Sequence, residues 1–159
     1  GAAAVEVNKI VRGKFAFFGA FVEPPVGKEA CRAQIEAGGD VMFAERFWVI
    51  EACNEKGVLA ISNMADQVSL GPDTVITGPV WDMWPTIKHV VTLVKAGVPT
   101  AQDFGGFSYM GKGGSYLAPY HNWDSKLPAS VKAMVEKRKA EMLDGTFRAD
   151  IDESATKSD

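Results

Sequence analysis

Apolar positions in the first half of the chain alternate between short unbroken runs and stripes at helical spacing. Residues 14–21 form an apolar and aromatic run, from Lys14 through Phe15, Phe17 and Phe18 to Phe21. Such a run predicts a strand buried on both faces, as in a parallel sheet. Glu23-Pro24-Pro25 ends it. Ala30, Cys31, Ala33, Ile35 and Ala37 then cluster at helical spacing, and Gly38-Gly39 closes that helix, because glycine accepts the left-handed conformation after a last turn. Residues 41–44 read as a second buried strand. Val49, Ile50 and Cys53 mark a second helix capped by Gly57, and residues 58–62 and 74–77 read as two further strands. The order β-α-β-α-β-β predicts an α/β fold, a parallel sheet layered between helices with right-handed crossovers.

Beyond Thr77 the pattern changes. Trp81-Asp82-Met83-Trp84-Pro85 leads into Ile87, Val90, Val91 and Val94, an apolar stripe on a helix that stops at Gly97. Residues 104–110 read as a strand with small residues between large ones, and residues 111–115 as a loop. Pro128 opens the last helix, where proline is tolerated in the first turn. Val131, Met134, Val135 and Met142 are expected on its buried side, and Gly145 ends it. The start, residues 2–11, resembles the end of a helix more than a domain's first element, so a preceding segment is expected.

Composition narrows the function classes. The chain has 159 residues, enough for one domain with a real core. Its 17 basic and 20 acidic side chains give a net charge of −3, and its densest basic run, Lys137-Arg138-Lys139, is broken by Glu136 and Glu141. That run reads as a solvated helix face, so nucleic acid is not an expected partner. No apolar run approaches the roughly 18 residues of a membrane helix, and Gly1-Ala2-Ala3-Ala4 lacks the pattern of a leader peptide. Cys31 and Cys53 both fall inside helical patterns and are expected as buried free thiols.

In open α/β sheets ligands bind at the carboxyl ends of the strands. Those ends carry Glu23, then Glu45, Arg46, Phe47 and Trp48, then Asn63, Met64 and Asp66, then residues 78–84. Phe47, Trp48, Trp81 and Trp84, with Phe107 and Tyr109 further on, make this zone dense in aromatics. Aromatic faces with a few polar groups suit a planar heterocycle, through stacking and directed hydrogen bonds. For Phe47 and Trp48, packing of the helix behind Glu45 is the competing reading. Enzymatic signatures are missing: neither cysteine sits on a strand-end turn, His89 and His121 lack ligand-spaced partners for a metal, and no Gly-x-Ser-x-Gly elbow occurs. Gly111-Lys112-Gly113-Gly114-Ser115 lacks P-loop spacing and reads as a turn bringing Lys112 towards a cleft. Glu45, Phe47, Trp48, Asn63, Asp66, Trp81, Phe107 and Lys112 are the expected ligand contacts. Neither catalysis nor a cofactor is expected.

Several motifs occur in an order that resembles a known family. They are Glu23-Pro24-Pro25 with Lys28-Glu29-Ala30, Ala37-Gly38-Gly39-Asp40-Val41, and Glu55-Lys56-Gly57-Val58. Pro72-Asp73-Thr74-Val75, Val80-Trp81-Asp82-Met83-Trp84-Pro85, Gly111-Lys112-Gly113-Gly114-Ser115, Leu117-Ala118-Pro119 and Leu127-Pro128-Ala129 follow. Over residues 5–153 the series resembles the second half of basic membrane protein family ABC-transporter substrate-binding proteins, of the purine-nucleoside receptor type. That resemblance implies one lobe of a type I periplasmic binding protein, the first lobe being absent from this sequence. It implies a main α/β lobe over residues 1–77, a crossover helix segment over 78–103 that would pack on the first lobe, a return strand and C-terminal helix over 104–148, and a polar tail over 149–159. It further implies a periplasmic protein that hands a purine-like solute to an ABC permease, with the missing lobe or a second copy of the chain as its other partner. Asn63-Met64 and Trp81 stand where nucleoside-binding members carry an acid and a lysine, which shifts the expectation from a nucleoside towards a free base. The alternatives are an effector-sensing domain, a self-associating lobe without transport activity, and an enzyme built on Glu45, Arg46 and Lys112.

Overall fold

The computed structural model describes residues 2–17, 19 and 21–148. A short helix, α1 (Ala2–Val7), precedes α2 (Pro24–Glu36), β1 (Val41–Phe43), α3 (Phe47–Lys56), β2 (Leu59–Ile61) and β3 (Val75–Thr77). Two prolines sit in the first turn of α2, where no helical N–H is lost. Gly38 (φ +94°) and Gly57 (φ +67°) adopt the left-handed geometry that ends α2 and α3. After Gly57, the Val58 N–H returns to the Cys53 carbonyl at 3.0 Å.

The three strands form one parallel sheet in the order β1-β2-β3, with Met42 opposite Ala60 and Ala60 opposite Val75. Helices α2 and α3 pack on each other and on this sheet around Cys31, Met42, Ala44, Ile50, Ala52, Cys53, Ala60 and Val75. Strand β1 buries Met42 towards them, while Val41 and Phe43 point the other way and stay exposed. The expected α/β class and parallel sheet are what the chain adopts.

Two expected strands are corrected. None of the described residues in 14–21 is in a strand, and Phe15, Phe17 and Phe21 are exposed. The segment is tied down through its end instead: Arg46 Nε donates to the Phe21 carbonyl at 3.4 Å, and its guanidinium lies 4.3 Å from the centre of the Phe21 ring. Residues 104–110 are not a strand either. They make two 3-10 turns, Gly105–Ser108 and Met110–Lys112, because Asp103 Oδ1 accepts the Gly105 N–H at 2.7 Å and coils the Gly-Gly pair.

The second half adds β4 (Pro79–Trp81), α4 (Trp84–Lys95), β5 (Ser115–Leu117) and α5 (Ala129–Leu143). Strands β4 and β5 pair antiparallel, with Val80 opposite Tyr116. On α4 the stripe of Ile87, Val91 and Val94 is exposed. The expected buried side of α5 is also corrected, since Val131, Met134 and Met142 are exposed and only Val135 is partly covered. Arg138 of α5 bridges to Glu6 of α1 and stacks 3.9 Å above the Phe147 ring. The polar tail over 149–159 lies outside the described residues.

Ion pairs lace the surface. Arg32 holds Glu55 at 2.7 Å across α2 and α3, and Lys126 holds Asp73 at 3.0 Å. These hydrogen-bonded cations keep both carboxyls below the ordinary carboxylate range. A folded-state pKa lowered in this way gives stability that is present above the unfolded value and lost as pH falls through the folded one. Acid titration of the urea midpoint should therefore show a smaller loss in Glu55→Gln than in the parent; an unchanged acid slope would rule out this contribution.

Candidate functional site

The register places Phe43, Ile61 and Thr77 beside one another at the carboxyl ends of the parallel strands. The segments that follow therefore leave from one edge. From β1 come Glu45, which pairs with Arg46, and exposed Phe47. From β2 come buried Ser62 and partly covered Asn63 and Met64. From β3 the chain passes through Gly78 into β4 and Trp81.

Trp81 is held by its backbone on both sides. Its N–H donates to the Met64 carbonyl at 2.9 Å, and Met64 bridges Val80 in parallel. Trp81 faces Ser115 in the β4–β5 register, and the next N–H, of Asp82, reaches the Gly114 carbonyl at 2.9 Å. Asp82 Oδ1 accepts the Trp84 N–H at 2.8 Å in a local turn just ahead of α4. The backbone is thus fixed while the rings stay open: Trp81 is 58% exposed and Trp84 63%.

The expected contacts divide. Glu45, Phe47, Asn63, Asp66 and Trp81 lie on segments leaving this edge. Trp48 is a correction. It is 2% exposed, and its indole sits against Gly27 in the α2–α3 interface, where a Cβ on Gly27 would collide with Nε1 and lie 2.7 Å from Cδ1. It is a core residue. Phe107 belongs to a 3-10 turn and stacks on His89 of α4, ring centres 4.5 Å apart, while Lys112 ends the following turn in solvent. An open apolar groove along α2, lined by Pro25, Val26, Glu29, Ala30 and Ala33, includes none of these candidates.

One polar pair escapes sequence reading. His121 Nε2 lies 2.7 Å from Asp66 Oδ2, although 55 residues separate them. Asp66 also accepts the Val68 N–H at 3.2 Å. Met64 (φ +68°) and His121 (φ +46°) both occupy the left-handed region without being glycine. Such strain persists only where surrounding contacts hold it, and it gathers at ligand-binding segments. Tyr120, next in the chain to His121, has its hydroxyl pushed above the usual range by burial and by nearby Glu136 and Asp124. Neither periodicity nor spacing in the sequence signals this cluster.

No protein-family model matches the chain, and no curated protein matches it. Solved structures do. The chain is similar to an ABC transporter solute-binding protein from Conexibacter woesei DSM 14684, with a TM-score of 0.69 at 18% identity, over 94% of this chain and 50% of that one. It is also similar to a transcriptional activator of the comK gene from Bacillus halodurans, with a TM-score of 0.67 at 19% identity, over 84% and 47%. The fold is that of a solute-binding-protein lobe. The chain spans about half the length of each of these structures.

Proposed function

We propose that this chain is one lobe of the solute receptor of an ABC importer, and that its strand-end edge is one wall of a cleft completed by a second lobe. The observation that carries this reading is the pair of open indoles, Trp81 and Trp84, on a backbone fixed by hydrogen bonds. Large apolar side chains gathered on a rigid edge mark a ligand or partner surface. The fold likeness to a solute-binding protein of twice the length supports a second lobe. The receptor works outside the cytoplasm, in the periplasm, and passes its solute to a permease without chemical change.

The wall supports a planar, purine-like solute. An indole face stacks a planar heterocycle. Asn63 offers an amide, while Asp66 is already engaged by His121 and the Val68 N–H. No free carboxylate of β2's trailing segment is then left for ribose hydroxyls, which favours a purine base over its nucleoside.

Saturation-transfer NMR on this chain tests the proposal, since it reads weak binding to a lone wall. Adenine or guanine ring protons should receive saturation, and the nucleosides should bind no more tightly. Trp81→Ala should remove the signal, because stacking on one ring contributes about 1–3 kcal/mol, while thermal stability stays unchanged. Tighter nucleoside binding overturns the base preference, and no transfer to any purine overturns the ligand class.

A second reading, an effector-sensing lobe, is supported by the likeness to the comK activator. Stimulation of an importer's ATP hydrolysis by the solute-loaded receptor separates the two, because a sensor gives none.

A further inference from the structure

The chain has two cysteines, and the fold brings them together. Cys31 lies on α2 and Cys53 on α3, 22 residues apart, with their sulfurs 3.8 Å from each other. Both side chains are buried in the core cluster, 3% and 0% exposed. The Cys31 thiol reaches the Val49 carbonyl at 3.9 Å, so the thiol proton of Cys53 is the one available to point at the Cys31 sulfur. The hydrogen bond to Cys31, with burial added, holds the Cys53 thiol protonated well above its ordinary value.

Two packed helices set the directions of both Cα–Cβ bonds. A disulfide needs its sulfurs at about 2.05 Å, so the two sulfurs have to draw together from 3.8 Å for the bond to form. Elsewhere the two helices are joined across their surface by Lys28–Glu51 and Arg32–Glu55, which fix the same register.

We propose that Cys31 and Cys53 form an intrachain disulfide that staples α2 to α3, and that the dithiol described above is its reduced form. The electrons go to a disulfide-carrying oxidant, such as oxidised glutathione or a thiol–disulfide oxidoreductase. Each protein thiol gives up its proton and together they give up two electrons. The oxidant's sulfur–sulfur bond breaks to two thiols as the new bond forms. Because the pair is buried and Cys53 is protonated, exchange proceeds during folding or through local opening of α2, and the closed bond is then shielded from reduction. Only the source of oxidant rests on the export proposed above.

The test supplies oxidised glutathione directly, so its outcome is independent of solute binding. The chain is refolded over a series of glutathione ratios, denatured, alkylated and weighed. The expected product is lighter than the reduced chain by two hydrogen atoms and takes up no alkylating agent. Its thermal midpoint should rise by about 5–10 °C over the reduced form, the order expected for closing a loop of this length. Cys31→Ala and Cys53→Ala should each lose the oxidant-dependent rise. Two alkylated thiols at every ratio, glutathione adducts on each cysteine, or a lower midpoint after oxidation would each overturn the proposal. The mass readout needs only the unsubstituted chain, so it decides even if a variant fails to fold.

Discussion

Trp48→Ala should lower folding stability by about 3–5 kcal/mol, the range for emptying a buried indole site. Against a total of about 5–15 kcal/mol for a domain, that is a large share. The cause is local. Trp48 fills the gap left by the missing side chain of Gly27, so this ring is one of the contacts on which α2 and α3 close. Its Nε1 has no hydrogen-bond partner among the described residues, and a buried donor left unpaired costs about 1–3 kcal/mol. Trp48→Phe should therefore cost much less than Trp48→Ala, because it keeps most of the apolar contact and removes the orphaned N–H. Urea unfolding at matched slope measures both. Trp81→Ala is the control: at 58% exposure it should stay within about 0.5 kcal/mol of the parent. Equal losses for Trp48→Ala and Trp81→Ala would reverse the assignment of one ring to the core and the other to the proposed binding edge.

That pair of tryptophans shows how far the sequence carries. The elements from α2 to β3 are legible because each is set by a local pattern and closed by a residue with a single conformational meaning, as at Gly38 and Gly57. The run over 14–21 misleads because an apolar stretch names a burial tendency but no strand partner, and in the structure Arg46 captures its end. The strands β4 and β5 pair with partners more than thirty positions apart, so no local pattern announces them. Position after a strand groups Trp48 with Trp81, whereas the structure buries Trp48 and leaves Trp81 exposed. Helical spacing holds the correction, since Trp48 and Ala52 are one turn apart on a face that is buried at both. The His121–Asp66 pair has no such signal; it exists only because the loop after β5 is folded back beside the loop after β2.

Gly78→Ala should cost at or above the upper end of the 1–3 kcal/mol, approximately, that overpacking a tight site usually costs. A Cβ at this position would collide with Ser62 Oγ and carbonyl O and lie 2.6 Å from the carbonyl carbon. Backbone atoms cannot swing aside as a side chain can. Ser62 is fixed by its N–H on the Thr77 carbonyl at 2.9 Å, and Gly78 by the Ala118 N–H on its own carbonyl at 2.9 Å. Separating them pulls β2 from β3 or β3 from the β5 end. The damage should also reach the proposed binding edge, because Gly78 leads directly into β4 and Trp81. The expected pattern is a lower urea midpoint together with loss of saturation transfer to purine, in contrast to Trp81→Ala, which loses only the second. Gly13→Ala, with open space around it and no positive φ, should be neutral or slightly stabilising. Adding Ser62→Ala should not rescue Gly78→Ala, since removing the hydroxyl leaves the carbonyl clash in place. Recovery in the double variant would mean that the hydroxyl alone sets the limit and that the backbones are not in contact.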